Sequence, residues 1–345
     1  MTITRRRFLE RGGGVAAAAV AAACGAPGRL PSPPTLRVML NGGIYEELAR
    51  RLVIEPFERE TGAHVVVVPA SAAQIVTRLI AEQSAPSVDV AIIDQLVMGP
   101  AVDAGVFDTV DAARVPNMRD LAPAAVDRRG YGPIVHSHNL VIGYNTKRLS
   151  VEPPSSWADL WDPRFKQTLV PGAIELTPGI LFLLQANALN GGSYENADPG
   201  FAAVARLAPN VRKYFHNIGE VRPLVSRENV VVAISSNMLQ VEIAQGSPVG
   251  MVFPAEGCLA SPAVAQIVRG TKVRALAEQF VDSYLRPEAQ LGWAQDYNVS
   301  VFNTKVVVPD HVKARIADRV VFFDANEVAR RRGAWVDRWM REIKG

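Results

Sequence analysis

The chain has 345 residues, with 37 basic and 34 acidic side chains. Removing residues 1–23 takes away four arginines and one glutamate, which leaves 33 basic and 33 acidic residues. This balanced charge excludes the basic footprint of a nucleic-acid-binding protein. The remaining length exceeds the size at which a single core usually stops growing, so two domains are expected.

Residues 1–24 are predicted to be a twin-arginine signal peptide that ends in a lipobox. Residues 4–9 read TRRRFL, and an alanine-rich apolar stretch follows at residues 15–23. That stretch is far shorter than the roughly 20 apolar residues needed to cross a bilayer. The arginines followed by Phe-Leu resemble the twin-arginine signal, which is an export address and not an anchor. An ordinary secretory signal is the alternative.

The chain contains two cysteines, and each has a predicted state in the exported protein. Cys24 follows three alanines, which resembles a lipobox whose cysteine becomes lipid-modified, although Ala21 stands where leucine is usual. Plain cleavage at a nearby small-x-small site is the alternative. Residues 25–35 are predicted to be a proline-rich linker. With Cys24 lipidated or removed, Cys258 has no disulfide partner and is expected to be buried as a small apolar residue.

The first half of the folded part alternates short apolar strands with helical patterns. Strands are predicted at residues 38–40, 65–68 and 88–93, and helices at residues 45–61 and 71–80. The β-branched residues of the second strand are typical of a strand buried on both faces. This β-α-β-α-β order predicts a parallel sheet with helices on both faces.

A second α/β region follows, and the chain ends in helices. Residues 114–137 lose the alternation and are predicted to connect the two regions, and the residues after Glu256 turn small and polar. The remaining elements are predicted as strands at 140–144, 168–170, 230–235 and 249–253, and as helices at 178–189, 237–245, 272–285, 287–295 and 325–343.

Four short motifs stand out along the chain: residues 56–62 (PFERETG), 144–146 (YNT), 156–166 (SWADLWDPRFK) and 253–257 (FPAEG). Together they resemble bacterial periplasmic solute-binding proteins of the spermidine/putrescine type, over roughly residues 36–310. The resemblance implies the α/β type II binding-protein fold. In that fold, two doubly wound lobes are joined by strand crossings at a hinge and close on a solute in the central cleft.

The resemblance also implies boundaries and partners. Lobe 1 is expected at residues 36–140 plus 258–310, lobe 2 at residues 141–257, and a C-terminal helical segment at residues 311–345. A monomer is expected to capture a small-molecule solute in the periplasm or at the extracytoplasmic surface of a membrane. It is expected to deliver the solute to an inner-membrane ABC permease and to touch the membrane only through its N-terminal lipid. A sensory binding protein is the alternative, and no cofactor is expected. An enzyme is disfavoured because the sequence holds no Gly-x-Ser-x-Gly elbow and no His-Glu-x-x-His motif.

Solute-binding residues are expected on loops after strands, where open α/β sheets form their crevice. Gly42 and Gly43 precede a helix whose backbone N–H groups would face the cleft, and Tyr45 would stack on the solute. A simple tight turn is the alternative there. Asp94, with Gln95 beside it, pairs with a cationic solute or caps the next helix.

Four further positions complete the predicted site. Ser236 and Asn237 follow a strand and are expected to hydrogen-bond the solute, to cap the next helix, or both. Glu256 stands beside the predicted hinge, where a charge must be paired or face the cleft, so it contacts the solute or holds a structural partner. Glu175 is a candidate second acid on the opposite lobe.

The identity of the solute stays open between several classes. Polyamine-binding members place acid pairs and a Trp-x-Asp around the cleft, whereas residues 171–174 (PGAI) and 258–263 (CLASPA) hold neither. A diammonium solute needs a carboxylate near each end, because burying an unpaired ammonium is costly. A polyamine or related amine is the first prediction, and an amino-acid-like, phosphonate or other anionic solute is the alternative. His136 and His138, without further ligands nearby, are not predicted to bind metal.

Overall fold

The computed structural model describes residues 33–127 and 129–343. The predicted signal peptide, Cys24 and most of the proline-rich linker therefore lie outside the described residues. No helix within the described ranges is both long enough and apolar enough to cross a membrane.

The strands of the described chain join in one hydrogen-bonded system, in the order β2-β1-β3-β9-β5-β7-β6. Three short strands pair outside this order, β4 and β10 with β9, and β8 with β5. The strands are β1 (Thr35–Leu40), β2 (His64–Pro69), β3 (Val90–Asp94), β4 (Phe107–Asp108), β5 (Ile134–Asn145), β6 (Leu169–Pro171), β7 (Val231–Ser235), β8 (Val249–Val252), β9 (Cys258–Val268) and β10 (Val320–Val321).

Helices cover both faces of these strands. A π-helical turn at Arg50–Ile54 joins α1 to α2, and Gly62 ends α2 in a left-handed conformation with φ 66°. The α-helices are α1 (Ile44–Ala49), α2 (Glu55–Thr61), α3 (Ala72–Ala81), α4 (Gly99–Asp103), α5 (Thr177–Leu189), α6 (Asp198–Arg206), α7 (Val221–Arg227), α8 (Ser236–Ala244), α9 (Arg274–Leu285), α10 (Pro287–Tyr297), α11 (Asp310–Lys313) and α12 (Ala325–Glu342). Short 3-10 turns lie at Pro116–Asp120, Pro123–Ala125, Ala158–Trp161, Pro163–Phe165 and Ile218–Glu220.

Two long strands, β5 and β9, join two α/β lobes. The first half of β5 pairs with β9, from Ile134 to Asn139, and its second half pairs with β7 and β8, from Leu140 to Asn145. We call lobe 1 the part built on β1 to β4, β9 and the first half of β5. Lobe 2 is the part built on β6 to β8 and the second half of β5. The predicted fold class, two α/β lobes joined by strand crossings, is confirmed.

Each lobe follows from its own sequence pattern. In lobe 1, β1 lies parallel between β2 and β3, as the strand–helix alternation predicted. In lobe 2, α8 packs directly on β5 at Gly143. The approach is so close that a Cβ at Gly143 would lie 2.5 Å from Cδ1 of Leu239. Trp157 is fully buried there, and its indole N–H donates to the carbonyl oxygen of Gly257 at 2.9 Å.

The largest difference from the predicted elements is β9. The residues after Glu256 are an eleven-residue strand at the centre of the sheet order and not a polar connection. The strand contains Pro262 and several small residues, so its sequence does not read as a strand. In the structure, Ser137 of β5 nevertheless pairs opposite Pro262. Similarly, β5 begins at Ile134 and not at Leu140, because the polar residues of its first half do not read as a buried strand.

Cys258 begins β9 and is buried, as predicted, with 1% of its surface exposed. It is a free cysteine within the described residues. Burial, with the nearby Glu256 charge adding, raises the pKa of its thiol to about 12. The thiol therefore stays protonated and behaves as an apolar side chain.

The C-terminal residues contact both lobes. The short strand β10 pairs with the start of β9, and α12 then packs on lobe 2 through Val328, Trp335 and Trp339. The Trp339 ring lies 5.2 Å from the ring of Tyr214. Near its start, α12 also approaches α4 of lobe 1, where a Cβ on Gly99 would lie 3.2 Å from Cβ of Ala329.

Candidate functional site

A cavity of about 260 Å³ lies between the lobes, at the carboxyl ends of β1, β3, β6 and β7. Open α/β sheets place their binding crevice at this edge. We call it the interlobe cavity. It is lined by Asn41, Asp94, His138, Ser261 and Tyr297 from lobe 1, and by Leu140, Thr177, Pro178, Leu181, Ile218, Ile234, Ser235, Asn237 and Met238 from lobe 2.

Asp94 brings the negative charge of the cavity. It ends β3, and its carboxylate accepts hydrogen bonds from the backbone N–H of Leu96 at 2.8 Å and the hydroxyl of Ser261 at 3.2 Å. Burial raises the pKa of Asp94 above its usual value, although these two hydrogen bonds oppose the shift. Of the described residues that line the cavity, Asp94 alone carries a carboxylate. A cationic group of a solute would relieve the cost of this buried charge.

Two helices of lobe 2 begin at the cavity wall. Thr177 and Pro178 start α5, and Asn237 and Met238 lie in the first turn of α8. Neither helix has a side-chain cap at its N-terminus. Because first-turn N–H groups lack acceptors within the helix and carry partial positive charge, this wall favours an anionic group.

Buried polar atoms without a protein partner reinforce that wall. Ser236 is 1% exposed, and its hydroxyl makes no hydrogen bond within the described residues. The side-chain oxygen of Asn237 is likewise buried without a partner. Buried polar groups are rarely left unpaired in folded proteins, so the Asn237 oxygen is suited to a partner that occupies the cavity, whereas Ser236 was predicted for the site but does not line the cavity.

Tyr45 does not line the interlobe cavity, which corrects its predicted position. Its ring is 5% exposed and lies 5.0 Å from Trp293 and 5.5 Å from His136. Burial raises the pKa of Tyr45 well above its usual value, and the nearby tyrosines add to the shift. Tyr45 and Leu48 share the buried face of α1 at helical spacing, so the ring turns inward and supports Tyr297 from behind.

Glu256 stands away from the cavity and holds a structural partner, which was the second of its two predicted roles. Its carboxylate accepts hydrogen bonds from the backbone N–H groups of Trp157 at 3.1 Å and Ala158 at 3.2 Å. These groups begin the 3-10 turn Ala158–Trp161, where N–H donors have no acceptor within the turn. Through these hydrogen bonds, Glu256 connects the start of lobe 2 to the residues that lead into β9.

Glu175 does not reach the interlobe cavity either. It is exposed, and its carboxylate lies 2.5 Å from Nδ1 of His216 on the surface. The predicted second acid is therefore a surface ion-pair partner in this structure, close in sequence to the cavity residue Thr177.

The remaining predicted positions flank the cavity. Gly42 and Gly43 are exposed next to the lining residue Asn41, and Gly43 precedes α1 with φ 68°, a conformation that favours glycine. Gln95 lies beside Asp94, and its backbone N–H donates to the carbonyl oxygen of Pro262 at 2.9 Å. Its side chain does not line the cavity.

Several lining residues were not identified from the sequence. Thr177, Ser261 and Tyr297 reach the cavity from the start of α5, the middle of β9 and the end of α10. No local motif marks them. A strand assignment for β9 would have placed Ser261 opposite His138 on β5, which is the one signal that the sequence offered.

His136 and His138 lie together beneath and beside the cavity, with ring centroids 5.7 Å apart. Burial lowers the pKa of His138 to about 4, and burial together with the nearby His138 lowers the pKa of His136 well below its usual value. Both rings are neutral near pH 7. No group of three or more metal-ligating side chains occurs within residues 33–127 and 129–343.

A two-lobed α/β fold with a polar cavity at the strand ends defines a solute-binding protein of the type II architecture. The chain belongs to the family of bacterial extracellular solute-binding proteins, whose family model matches residues 85–325. This family captures small solutes outside the cytoplasm and presents them to ABC permeases. The resemblance found in the four sequence motifs is thereby confirmed.

Individual relatives differ in the solute that they are named for. The chain is 25% identical to the gamma-aminobutyric acid-binding protein of Pseudomonas aeruginosa, over 74% of this chain and 73% of that protein. It is 27% identical to a putative 2-aminoethylphosphonate-binding periplasmic protein of Salmonella typhimurium, over 76% and 77%. It is 24% identical to spermidine/putrescine-binding periplasmic protein 1 of Haemophilus influenzae, over 63% and 64%.

The fold is also found in solved structures. A putative extracellular solute-binding protein from Bordetella parapertussis superposes with a TM-score of 0.80 at 23% identity, covering 90% of this chain and 99% of that one. This likeness confirms the fold and does not identify the solute.

Proposed function

We propose that the protein captures a small zwitterionic solute, with an ammonium group at one end and a carboxylate or phosphonate at the other. An ω-amino acid or an aminoalkylphosphonate has this chemistry. The observation that carries the proposal is the opposition, across one cavity, of the single lining carboxylate of Asp94 and the two helix starts of lobe 2.

The ammonium end is assigned to lobe 1. Asp94 is a half-buried residue whose carboxyl has a raised pKa, and a cation beside it would favour its ionised form. A diammonium solute would need a second carboxylate, because an unpaired buried ammonium is costly. Glu175 and Glu256, the other predicted acids, are engaged elsewhere. These placements favour a single ammonium group and disfavour a polyamine.

The anionic end is assigned to lobe 2. The first turns of α5 and α8 offer backbone N–H groups, and Asn237 at the cavity wall holds a buried side-chain oxygen without a partner among the described residues. Two relatives support the pairing of charges, since one is named for gamma-aminobutyric acid and another for 2-aminoethylphosphonate. Both molecules carry an ammonium and an anionic group separated by a short chain.

The size of the cavity supports a solute of this length. At about 260 Å³ it lies below the roughly 300–1,000 Å³ that is typical of sites for drug-sized ligands. Leu140, Leu181 and Ile234 line the space between the two charged walls. A short aliphatic chain would therefore contact apolar side chains while its ends meet Asp94 and the helix starts.

We also propose the route by which the protein reaches its place of action. Twin-arginine export, lipid attachment through Cys24 and delivery of the solute by a monomer to an ABC permease are supported by the sequence motifs and by the extracellular family. A purely binding role, without catalysis, is supported by the same family. The sensory alternative predicts a receptor gene and no permease gene beside this one.

The test is a binding screen of the protein produced from the full-length reading frame. Thermal unfolding is followed with 4-aminobutanoate, 2-aminoethylphosphonate, putrescine, spermidine and neutral amino acids. A ligand at one hundred times its dissociation constant adds about 2.7 kcal/mol to the free energy of unfolding. We expect the first two compounds to raise the Tm. A shift with the polyamines alone would show that the solute class is wrong.

A further inference from the structure

Arg332 occupies an unusual position on the C-terminal helix. Val328, Trp335 and Trp339 form the buried stripe by which α12 packs on lobe 2. Arg332 follows Val328 by four residues and precedes Trp335 by three, so it lies on the same stripe. It is half-buried there. An arginine in an otherwise apolar stripe needs a partner or a function, because burying its charge is costly.

Arg332 has no acidic partner of its own. The neighbouring Arg330 and Arg331 both pair with Glu327 on the same helix. Among the described residues, by contrast, no carboxylate lies within salt-bridge distance of Arg332. Its guanidinium donates to the backbone carbonyl oxygen of Glu175 at 2.9 Å. That contact leaves further N–H donors of the fork available for an anion.

The contact holds Arg332 beside the segment of chain that leads into the interlobe cavity, although Arg332 does not line the cavity itself. Glu175 is two residues before Thr177, which starts α5 and lines the cavity. The positive charge of Arg332 also acts to lower the pKa of Asp94, as the smallest of the effects on that carboxylate. The helix α12 therefore brings a positive charge beside the segment of lobe 2 that leads into the cavity.

We propose that Arg332 is a specificity-determining residue, which selects solutes with an anionic group over diammonium solutes. This inference rests on the proposed function and names the residue responsible for its selectivity. Asp94 in the cavity and Arg332 beside the segment that leads into it supply one charge of each sign, which matches a zwitterion. A diammonium solute would place its second ammonium toward the guanidinium, and this like-charge contact discriminates against it.

The test compares dissociation constants by isothermal titration for 4-aminobutanoate, 2-aminoethylphosphonate and putrescine. In Arg332→Gln we expect the two zwitterions to bind roughly tenfold more weakly or worse, as for loss of a hydrogen bond to a charged group. Putrescine should bind as well as before or better. Arg332→Lys keeps the charge and should keep most of the preference. Arg330→Gln, which removes a paired charge from the same helix, is the matched control.

The outcomes separate the two proposals. If the unaltered protein binds neither zwitterion, the proposed function fails and the role of Arg332 fails with it. If the unaltered protein binds them but Arg332→Gln keeps the same ratio of affinities to putrescine, only the role of Arg332 is overturned. If Arg330→Gln changes the ratio of zwitterion to putrescine affinities as much as Arg332→Gln does, the role of Arg332 is overturned as well. Should Arg332→Gln fold poorly, Arg332→Met carries the test, because it keeps an unbranched stem on the stripe.

Discussion

Asp94 is the residue on which the charge of the interlobe cavity depends. Its carboxylate is held by Leu96 and Ser261, so its position is fixed before a solute arrives. We expect Asp94→Asn to weaken binding of an ω-amino acid about tenfold to hundredfold, because a charged hydrogen-bond partner of the ammonium is lost. Isothermal titration measures the change. The amide keeps the size of the side chain, so the Tm should not fall.

Glu175→Gln is the control for that substitution. It removes a carboxylate that the sequence also assigned to the site but that the structure places on the surface beside His216. Its affinity should remain within about twofold of the unaltered protein, since an exposed ion pair contributes little. Equal losses in both variants would mean that Asp94 acts through the overall charge of the protein and not by contact.

Glu256 shows how a residue predicted for the site can serve an element instead. Its carboxylate accepts two backbone N–H groups at the start of the 3-10 turn Ala158–Trp161. We expect Glu256→Ala to lower the free energy of unfolding by about 1–2 kcal/mol, because both donors lose their acceptor. Chemical denaturation measures this value. The dissociation constant of the solute should stay within about twofold.

A matched substitution separates capping from charge. Glu152→Ala removes an exposed glutamate from the same lobe and should leave the stability within about 0.5 kcal/mol. If Glu256→Ala weakens solute binding far more than it destabilises the fold, Glu256 reaches the solute in a conformation other than this one.

At the scale of elements, the sequence predicted those whose own pattern is strong. The β-branched run of β2 and the periodic helices α9, α10 and α12 lie within a few residues of their predicted places. The predicted burial of β2 on both faces is wrong, because β2 is the edge strand of the sheet and most of its residues are partly exposed. The strand β9 was missed because Pro262 and small residues are poor strand formers in isolation. Long-range pairing with β3 and β5 overrides that preference.

The residues of the candidate site also divide into those that local sequence predicts and those that it does not. The rule that crevices lie at strand ends identified Asp94 and Asn237, which line the cavity directly after β-branched strands. Tyr45 follows the same kind of loop but lies in α1, where it shares the buried face with Leu48 and is turned toward Trp293. Tyr297 enters from a helix about 200 residues further along, so its place depends on tertiary packing alone.

At the scale of the whole molecule, the two lobes also meet by side-chain contact. Tyr297 belongs to α10 of lobe 1, and it lines the interlobe cavity together with Asn237 of lobe 2, whose side chain acts to lower the pKa of the tyrosine hydroxyl. Behind Tyr297, the rings of Tyr45, His136, His138 and Trp293 form a buried aromatic cluster. The packing of the cavity wall is therefore connected to the core of lobe 1.

That cluster predicts how stability responds to acid. Burial lowers the pKa of His138 from 6.5 to about 4, and His136 shifts in the same direction. As pH falls from 6.5 to about 4, the unfolded chain takes up these protons and the folded chain does not. The free energy of unfolding should therefore decrease through this window, by ~1.4 kcal/mol per pH unit for each proton. Urea denaturation at several pH values measures the slope.

Two variants assign the slope to its residues. His138→Asn should make the decrease shallower, because one of the buried neutral rings is gone. Asp94→Asn should make it steeper, since burial raises the pKa of Asp94 above 3.8. The folded state thus takes up that proton first and gains stability as pH falls toward 3.8. Opposite changes of slope in the two variants are the expected result. Identical slopes would mean that neither group is buried in the solution structure as it is here.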